Sequence, residues 1–132
     1  MTARKGAARP ALHIRPFQRT DEERVLSLWR RCDLVRPSND PRKDIRRKLA
    51  VRPDLFLVGE ADGQIVATAM AGFEGHRGWL NYVAVDPPLR RNGVGREIVG
   101  VAEHLLRESG CPKINLQIRT TNQDVIAFYR RL

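Results

Sequence analysis

The most constraining feature of this chain is a strand, a turn and a helix that follow one another between residues 79 and 108. The segment 79–85 is rich in aromatic and β-branched residues, which is typical of a buried strand. From residue 94 onward apolar residues recur at helical spacing, and Gly110 and Pro112 give a stop signal. The positions on this apolar stripe are Val94, Ile98, Val101, Ala102, Leu105 and Leu106. The sequence therefore predicts an amphipathic helix over 94–108 that begins shortly after a buried strand.

The turn between these two elements predicts a site for an anion. It consists of Arg90, Arg91, Asn92, Gly93, Val94, Gly95 and Arg96. The first N–H groups of a helix have no intrahelical partner and point along the positive end of the helix dipole. Glycines at such a turn let a bulky ligand approach the main chain. A phosphate group is the ligand that this arrangement favours.

Two well-known phosphate-binding motifs are excluded. A P-loop needs two glycines separated by four residues and followed by Lys and Ser or Thr, and no such string occurs. A dinucleotide fingerprint needs a third glycine where this chain has Ile98. The turn also follows its strand after a Pro-Pro loop rather than directly.

Around this unit the periodicity predicts strands over 12–17, 55–60, 64–72 and 114–118. Asp62-Gly63 is a strong hairpin signal between two of them. Thr20 and Glu23 are interpreted as a capping box for a first helix, and Asp40 with Pro41 as the start of a second. Asn122 is predicted to cap a last helix through residue 129. This order predicts an α/β fold with a mixed sheet, of the α+β kind.

Length and composition predict one globular domain. The 132 residues are enough for one core, so we expect a flexible basic tail over 1–11 and a single domain over 12–132. No apolar run is long enough to cross a membrane. Cys32 and Cys111 favour a reduced, cytoplasmic location over a disulfide framework. The three histidines are scattered, so no metal site is expected.

The charge is uneven along the chain. The net charge is +9, and residues 1–52 hold 15 of the 24 Lys and Arg but only 6 of the 15 Asp and Glu. A basic segment of this kind is compatible with nucleic-acid binding. Trp29 and Phe17 are predicted to face the core, however, and no aromatic platform interleaves with the basic run. Nucleic acid is therefore an unfavoured partner.

The string Arg-x-x-Gly-x-Gly, formed by Arg90, Gly93 and Gly95 after an apolar strand, resembles the acetyl-CoA-binding motif of the GNAT N-acetyltransferases. Asn122 and the segment 127–129, Ala-Phe-Tyr, are similar to later positions of that family. Within the family, segments 28–37, 39–41 and 75–78 are most similar to small YpeA-like bacterial acetyltransferases.

This resemblance implies a GNAT-type acyl-CoA N-acyltransferase fold. The strand ending near Val85 and the strand at 114–118 would run parallel and splay apart to leave a slot for the cofactor. The chain stops at Leu132, where family members usually continue, so the fold is expected to be shortened at the C-terminus. Two explanations are then open: the gene is shortened, or a partner chain, as in a homodimer, covers the exposed edge of the sheet.

The resemblance also implies an acetyl-CoA-dependent transfer of an acetyl group to an amine, by direct attack on the thioester. Backbone amides of Val83, Ala84 and Val85 would polarise the carbonyl, while the turn 90–96 and Asn122 would bind the cofactor. Tyr129 would protonate the departing thiolate, since a tyrosine has a pKa of about 10.

The group that takes the proton of the amine is less well defined by the sequence. Glu74 is the candidate base, with Glu60 and His76 as weaker ones, and the identity of the amine stays open. An alternative to the enzyme is a non-catalytic acyl-CoA-binding module or partner subunit, since no convincing base is present.

Overall fold

The computed structural model describes residues 11–116. In chain order the strands and helices are β1 (His13–Pro16), α1 (Glu22–Arg31), α2 (Pro41–Ala50), β2 (Phe56–Ala61), β3 (Gln64–Phe73), β4 (Gly78–Val85), α3 (Val94–Glu108) and β5 (Ile114–Leu116). Short 3-10 turns precede α1, β2 and α3 at Arg19–Asp21, Pro53–Leu55 and Pro87–Leu89. The described elements follow the predicted order, with strand boundaries shifted by one or two residues.

The sheet has five strands in the order β1-β2-β3-β4-β5, which is also the order of the chain. The first four strands pair antiparallel, whereas β4 and β5 pair parallel, with Gly78 opposite Ile114 and Leu80 opposite Leu116. This confirms the predicted mixed sheet and the parallel pair. The predicted splaying of these two strands stays a prediction, because residues 117–118 of the predicted second strand lie outside the described residues.

Helices cover both faces of the sheet, so the chain has a core on each side. On one face α3 buries Ile98, Ala102 and Leu106 against the alanines of β3. On the other face α1 and α2 bury residues that include Trp29 and Ile45. The stripe predicted for α3 is confirmed, since its residues are buried or partly buried in the first core.

The second helix begins where the sequence predicts. The Asp40 carboxylate accepts hydrogen bonds from the N–H groups of Arg42 at 3.1 Å and Lys43 at 3.3 Å. Pro41, which has no N–H to leave unpaired, stands at the first helical position. Capping and a fixed φ angle therefore determine this boundary locally.

The capping box predicted for α1 is wrong. The chain instead makes a 3-10 turn over Arg19–Asp21, and the Asp21 carboxylate accepts from the N–H of Gln18 at 2.8 Å. Asp21 is fully buried and also pairs with Arg15 and Arg24, each at 2.8 Å. Two guanidinium groups and an amide satisfy this carboxylate, which explains why Asp21 rather than Thr20 organises the turn.

Within residues 11–116, none of the helices combines the length and the apolar character that a bilayer crossing requires. The same part of the chain contains no group of three or more His, Cys, Asp or Glu that could hold a metal ion. Cys32 and Cys111 are free thiols, and burial raises the pKa of Cys32.

Nearly all of the basic tail, together with Asn122 and Tyr129, lies outside the described residues. The division into a tail and one domain stays a prediction.

Candidate active site

The start of α3 has the geometry of an anion-binding turn. Gly93 is the N-cap with a φ of 82°, and Arg91 also has a positive φ of 70°. Gly93 has no side chain to cap the amides of the first helical turn. A Cβ placed on Gly93 would meet no atom within 4 Å, so the space above the turn is open. These amides can therefore be approached by a ligand.

Positive charge surrounds the same turn. Arg90, Arg91, Asn92 and Arg96 are exposed, whereas Val94 and Gly95 are buried where the helix joins the core. The Arg90 Nε donates to the carbonyl of Val85 at 3.3 Å and so connects the turn to the end of β4. The structure thus brings together all seven predicted residues of the turn, and amides and guanidinium groups suit a diphosphate.

The strand β4 contains a bulge at Tyr82. The register with β3 shifts between Thr68 and Met70, and Tyr82 has a φ of 49°. Asn81 and Tyr82 both face the α2 side of the sheet, although successive residues of a regular strand alternate. After the bulge, Val83 and Val85 pack toward α3 and Ala84 toward α1.

Two hydrogen bonds from buried side chains hold this bulge in place, one to a side chain and one to the backbone. The indole Nε1 of Trp29 donates to the Thr68 hydroxyl at 2.9 Å, and that hydroxyl donates to the Tyr82 carbonyl at 2.7 Å. The rings of Trp29 and Tyr82 also stack, with centroids 4.0 Å apart. Trp29 and Thr68 are fully buried, so the carbonyl of the strained residue has a fixed partner.

The Tyr82 hydroxyl is held from two sides. It donates to Asp44 Oδ2 at 2.6 Å and accepts from Asn39 Nδ2 at 2.8 Å. Burial and the hydrogen bond to Asp44 raise the pKa of Tyr82 to about 12. The hydroxyl therefore stays protonated at neutral pH. Sequence reasoning missed this residue, because an aromatic in a strand gives no sign of a bulge.

A groove with a volume of about 600 Å³ runs beside the bulge. Tyr82 and Asn81 of β4 form one wall, and Asp44, Arg47 and Lys48 of α2 form the opposite one. The connection between α1 and α2 closes one end with residues that include Asn39. The groove is thus a second cleft, distinct from the turn at α3 and close to the same stretch of β4.

The predicted base lies elsewhere. Glu74 is exposed in the loop between β3 and β4, and its Oε1 accepts from the N–H of Arg77 at 2.8 Å. Glu60 pairs with Arg15 at 3.3 Å, and His76 is exposed in the same loop as Glu74. None of these three residues is among the described residues that line the groove.

The mixed sheet thus presents two places that a ligand can reach, the basic turn after β4 and the groove beside the bulge. Comparison with known proteins identifies the class of protein. The model of the acetyltransferase (GNAT) family matches residues 22–132. Two bacterial acetyltransferases, from Pectobacterium atrosepticum and Sodalis glossinidius, are each 47% identical over 121 residues. These matches cover 92% of this chain and 86% and 85% of the relatives.

The chain therefore belongs to the GNAT family of acetyltransferases, and acetyl-CoA is its cosubstrate. The crystal structure of the PaiA N-acetyltransferase from Thermoplasma acidophilum, in complex with coenzyme A, is similar with a TM-score of 0.79. That similarity covers 92% of this chain and 87% of the other at 15% identity, which shows the shared fold. The resemblance seen in the sequence is confirmed, whereas the roles given to single residues stay predictions.

Proposed function

We propose that this enzyme transfers the acetyl group of acetyl-CoA directly to an amine, with the diphosphate of the cofactor at the start of α3. One observation supports the proposal: the bulged strand β4 is connected to the basic turn at the start of α3 by only the short 3-10 turn Pro87–Leu89, and Arg90 donates back to the Val85 carbonyl at the end of that strand. A ligand whose phosphates contact Gly93 and Arg90 can extend along the strand toward Tyr82. Its thioester would then lie beside the groove, from which the amine attacks.

At the thioester, backbone amides would supply the polarisation. Negative charge builds on the carbonyl oxygen as the amine attacks, and preorganised N–H donors stabilise it. Val83, Ala84 and Val85 follow the bulge, where the register of β4 with β3 shifts. Because the Tyr82 carbonyl already accepts from Thr68, the backbone before these amides is fixed. The attack forms the amide bond and releases the thiolate of coenzyme A.

Two proton transfers complete the reaction. We assign protonation of the thiolate to Tyr129 and a further cofactor contact to Asn122. Tyr82 is unsuited to accept the proton of the amine, since its pKa of about 12 keeps the hydroxyl protonated. Glu74 stays the predicted base, although its hydrogen bond to Arg77 serves the loop. A cytoplasmic location and a homodimer also stay predictions.

Calorimetry with acetyl-CoA tests the site at α3. We expect Gly93→Asp and Arg90→Glu each to weaken binding at least about ten-fold, because each adds negative charge beside the diphosphate. Gly93→Asn is the control for shape, since Asn also tolerates the left-handed conformation without adding charge. Arg46→Glu makes the same charge change as Arg90→Glu on the exposed side of α2.

The proposal predicts near-native affinity for Arg46→Glu and, for Gly93→Asn, a smaller loss than for Gly93→Asp, because Asn occupies part of the open space above the turn without adding charge. Unchanged affinity in Gly93→Asp and Arg90→Glu would remove the assigned cofactor site. An equal loss in Arg46→Glu would show that only the overall charge of the protein matters.

A further inference from the structure

We propose that the amine acetylated by this enzyme carries a second, anionic group, a carboxylate or a phosphate, and that Lys48 binds this group in the groove. The inference rests on the proposed function, because it places the acceptor in the groove beside the bulge of β4. It goes beyond that function by naming the chemical class of the acceptor.

The first observation is the position of Lys48. Its side chain is partly buried, lines the groove and crosses to the sheet. Its ammonium nitrogen lies 3.7 Å from where a Cβ on Gly72 of β3 would stand. The absence of a side chain at Gly72 therefore leaves room for the ammonium group against the sheet. A lysine on the solvated face of a helix would extend into water instead of lying against the sheet.

The second observation is that no carboxylate pairs with this ammonium group among the described residues. Asp54 is the one carboxylate that perturbs Lys48 electrostatically, but Asp54 itself forms hydrogen bonds of 3.0 and 2.9 Å with Arg52. Within residues 11–116, no carboxylate oxygen lies within 4.0 Å of the Lys48 nitrogen. Burial lowers the pKa of Lys48, and the attraction of Asp54 offsets this effect only in part.

The third observation is the balance of charge along the wall formed by α2. Asp44 is the acidic residue of the groove, and both of its oxygens are engaged. One accepts from the Tyr82 hydroxyl at 2.6 Å, and the other pairs with Arg47 at 3.2 Å. The charge of Asp44 thus offsets that of Arg47. Because no acidic residue among the described lining of the groove offsets Lys48, this lining has a net positive charge.

This balance discriminates between classes of amine. A polyamine or an aminoglycoside would bring several ammonium groups beside Lys48 and Arg47, and like charges repel in a partly desolvated cleft. A carboxylate or phosphate on the acceptor would instead give Lys48 a charge-assisted hydrogen bond. The amine at the other end of such a molecule can then lie toward the bulge at Tyr82.

The experiment measures thiol release from acetyl-CoA with four pools of primary amines. The pools hold amines with a carboxylate, amines with a phosphate, neutral monoamines and polycationic amines. We expect acceptor-dependent release at least about ten-fold faster with one of the two anionic pools than with the neutral or polycationic ones. The pool that reacts distinguishes a carboxylate from a phosphate.

The matched variants are Lys48→Met and Lys43→Met, since Lys43 is an exposed lysine of the same helix that does not line the groove. For the reactive anionic pool, we expect Lys48→Met to lower kcat/KM at least about ten-fold, mainly through KM. Lys43→Met should change it less than about two-fold. The acetyl-CoA affinity and the melting temperature should be close to native in both variants.

Three results would overturn the inference: fastest release with neutral or polycationic amines, no release with any pool, or equal losses in the two variants. Failure of the proposed function is recognised separately by calorimetry. A protein that does not bind acetyl-CoA contradicts the proposed function, whereas one that binds it but prefers polycations contradicts only the acceptor class.

Discussion

Replacing Thr68 with Val removes the hydroxyl that joins Trp29 to the bulge while keeping the branched shape of the side chain. The change deletes hydrogen bonds of 2.9 and 2.7 Å at a fully buried position. It leaves the Trp29 N–H without an acceptor and the Tyr82 carbonyl without its donor. An unsatisfied buried polar group costs about 1–3 kcal/mol, so the two together should lower the free energy of unfolding by about 3 kcal/mol.

Urea unfolding measures this loss, with Thr68→Ser as the matched control. Serine keeps the hydroxyl and deletes one buried methyl group, which should cost about 1 kcal/mol. The valine variant should therefore be the less stable of the two, although it conserves the volume. In the valine variant the rate of acetyl transfer should also fall more than the affinity for acetyl-CoA, because the bulge precedes the amides proposed to polarise the thioester. A valine variant as stable as the serine variant would refute this account of the bulge.

Three further substitutions test the turn before α1, the core and the exposed face of α3. Burial raises the pKa of Asp21, but Arg15 and the Gln18 amide outweigh it and hold the pKa below its ordinary 3.8. Asp21→Asn should therefore cost about 3 kcal/mol at pH 7, and the difference from wild type in denaturant unfolding should shrink as the pH falls below about 3.8. Gly78→Ala puts a Cβ 2.6 Å from the Cys111 sulfur and should destabilise by about 1–3 kcal/mol. Gly100→Ala, in open space on α3, should stabilise by about 0.5–1 kcal/mol, and equal melting temperatures for the two alanine variants would contradict the packing.

Local signals in the sequence predicted much of the fold. Asp40 and Pro41 are local signals for the start of a helix, and the apolar stripe that begins at Val94 has a helical period. Interactions that join distant residues were not predictable in this way. Trp29 and Thr68 are 39 positions apart, and their hydrogen bond exists only once α1 lies on the sheet. The turn at Asp21 was mispredicted for the same reason, since Arg15 reaches it from another element.

The candidate site also has a part that the sequence predicts locally and a part that depends on packing between distant residues. The turn at Gly93 is a local motif, and α3 begins at Val94 as the sequence predicts, whereas the binding role of the turn stays a prediction. The groove depends on packing, because Lys48 and Tyr82 line the same groove only when α2 lies beside β4. Tyr82 adopts a left-handed φ that a sequence pattern does not predict for an aromatic residue. Its stacking on Trp29 and its hydrogen bonds offset that strain.

Since the sheet repeats the order of the chain, its central hairpins connect neighbours, whereas the first strand pairs across a long separation. His13 pairs with Glu60, so forming this pair closes the large loop between them. The chain entropy of that loop is lost before the contacts between the two strands can stabilise it. By contrast, β2, β3 and β4 follow one another through short connections. Within residues 11–116, the strand pairs of the meander β2–β3–β4 thus close shorter loops than the pair β1–β2, so the bulge at Tyr82 can form before the N-terminal strand joins the sheet.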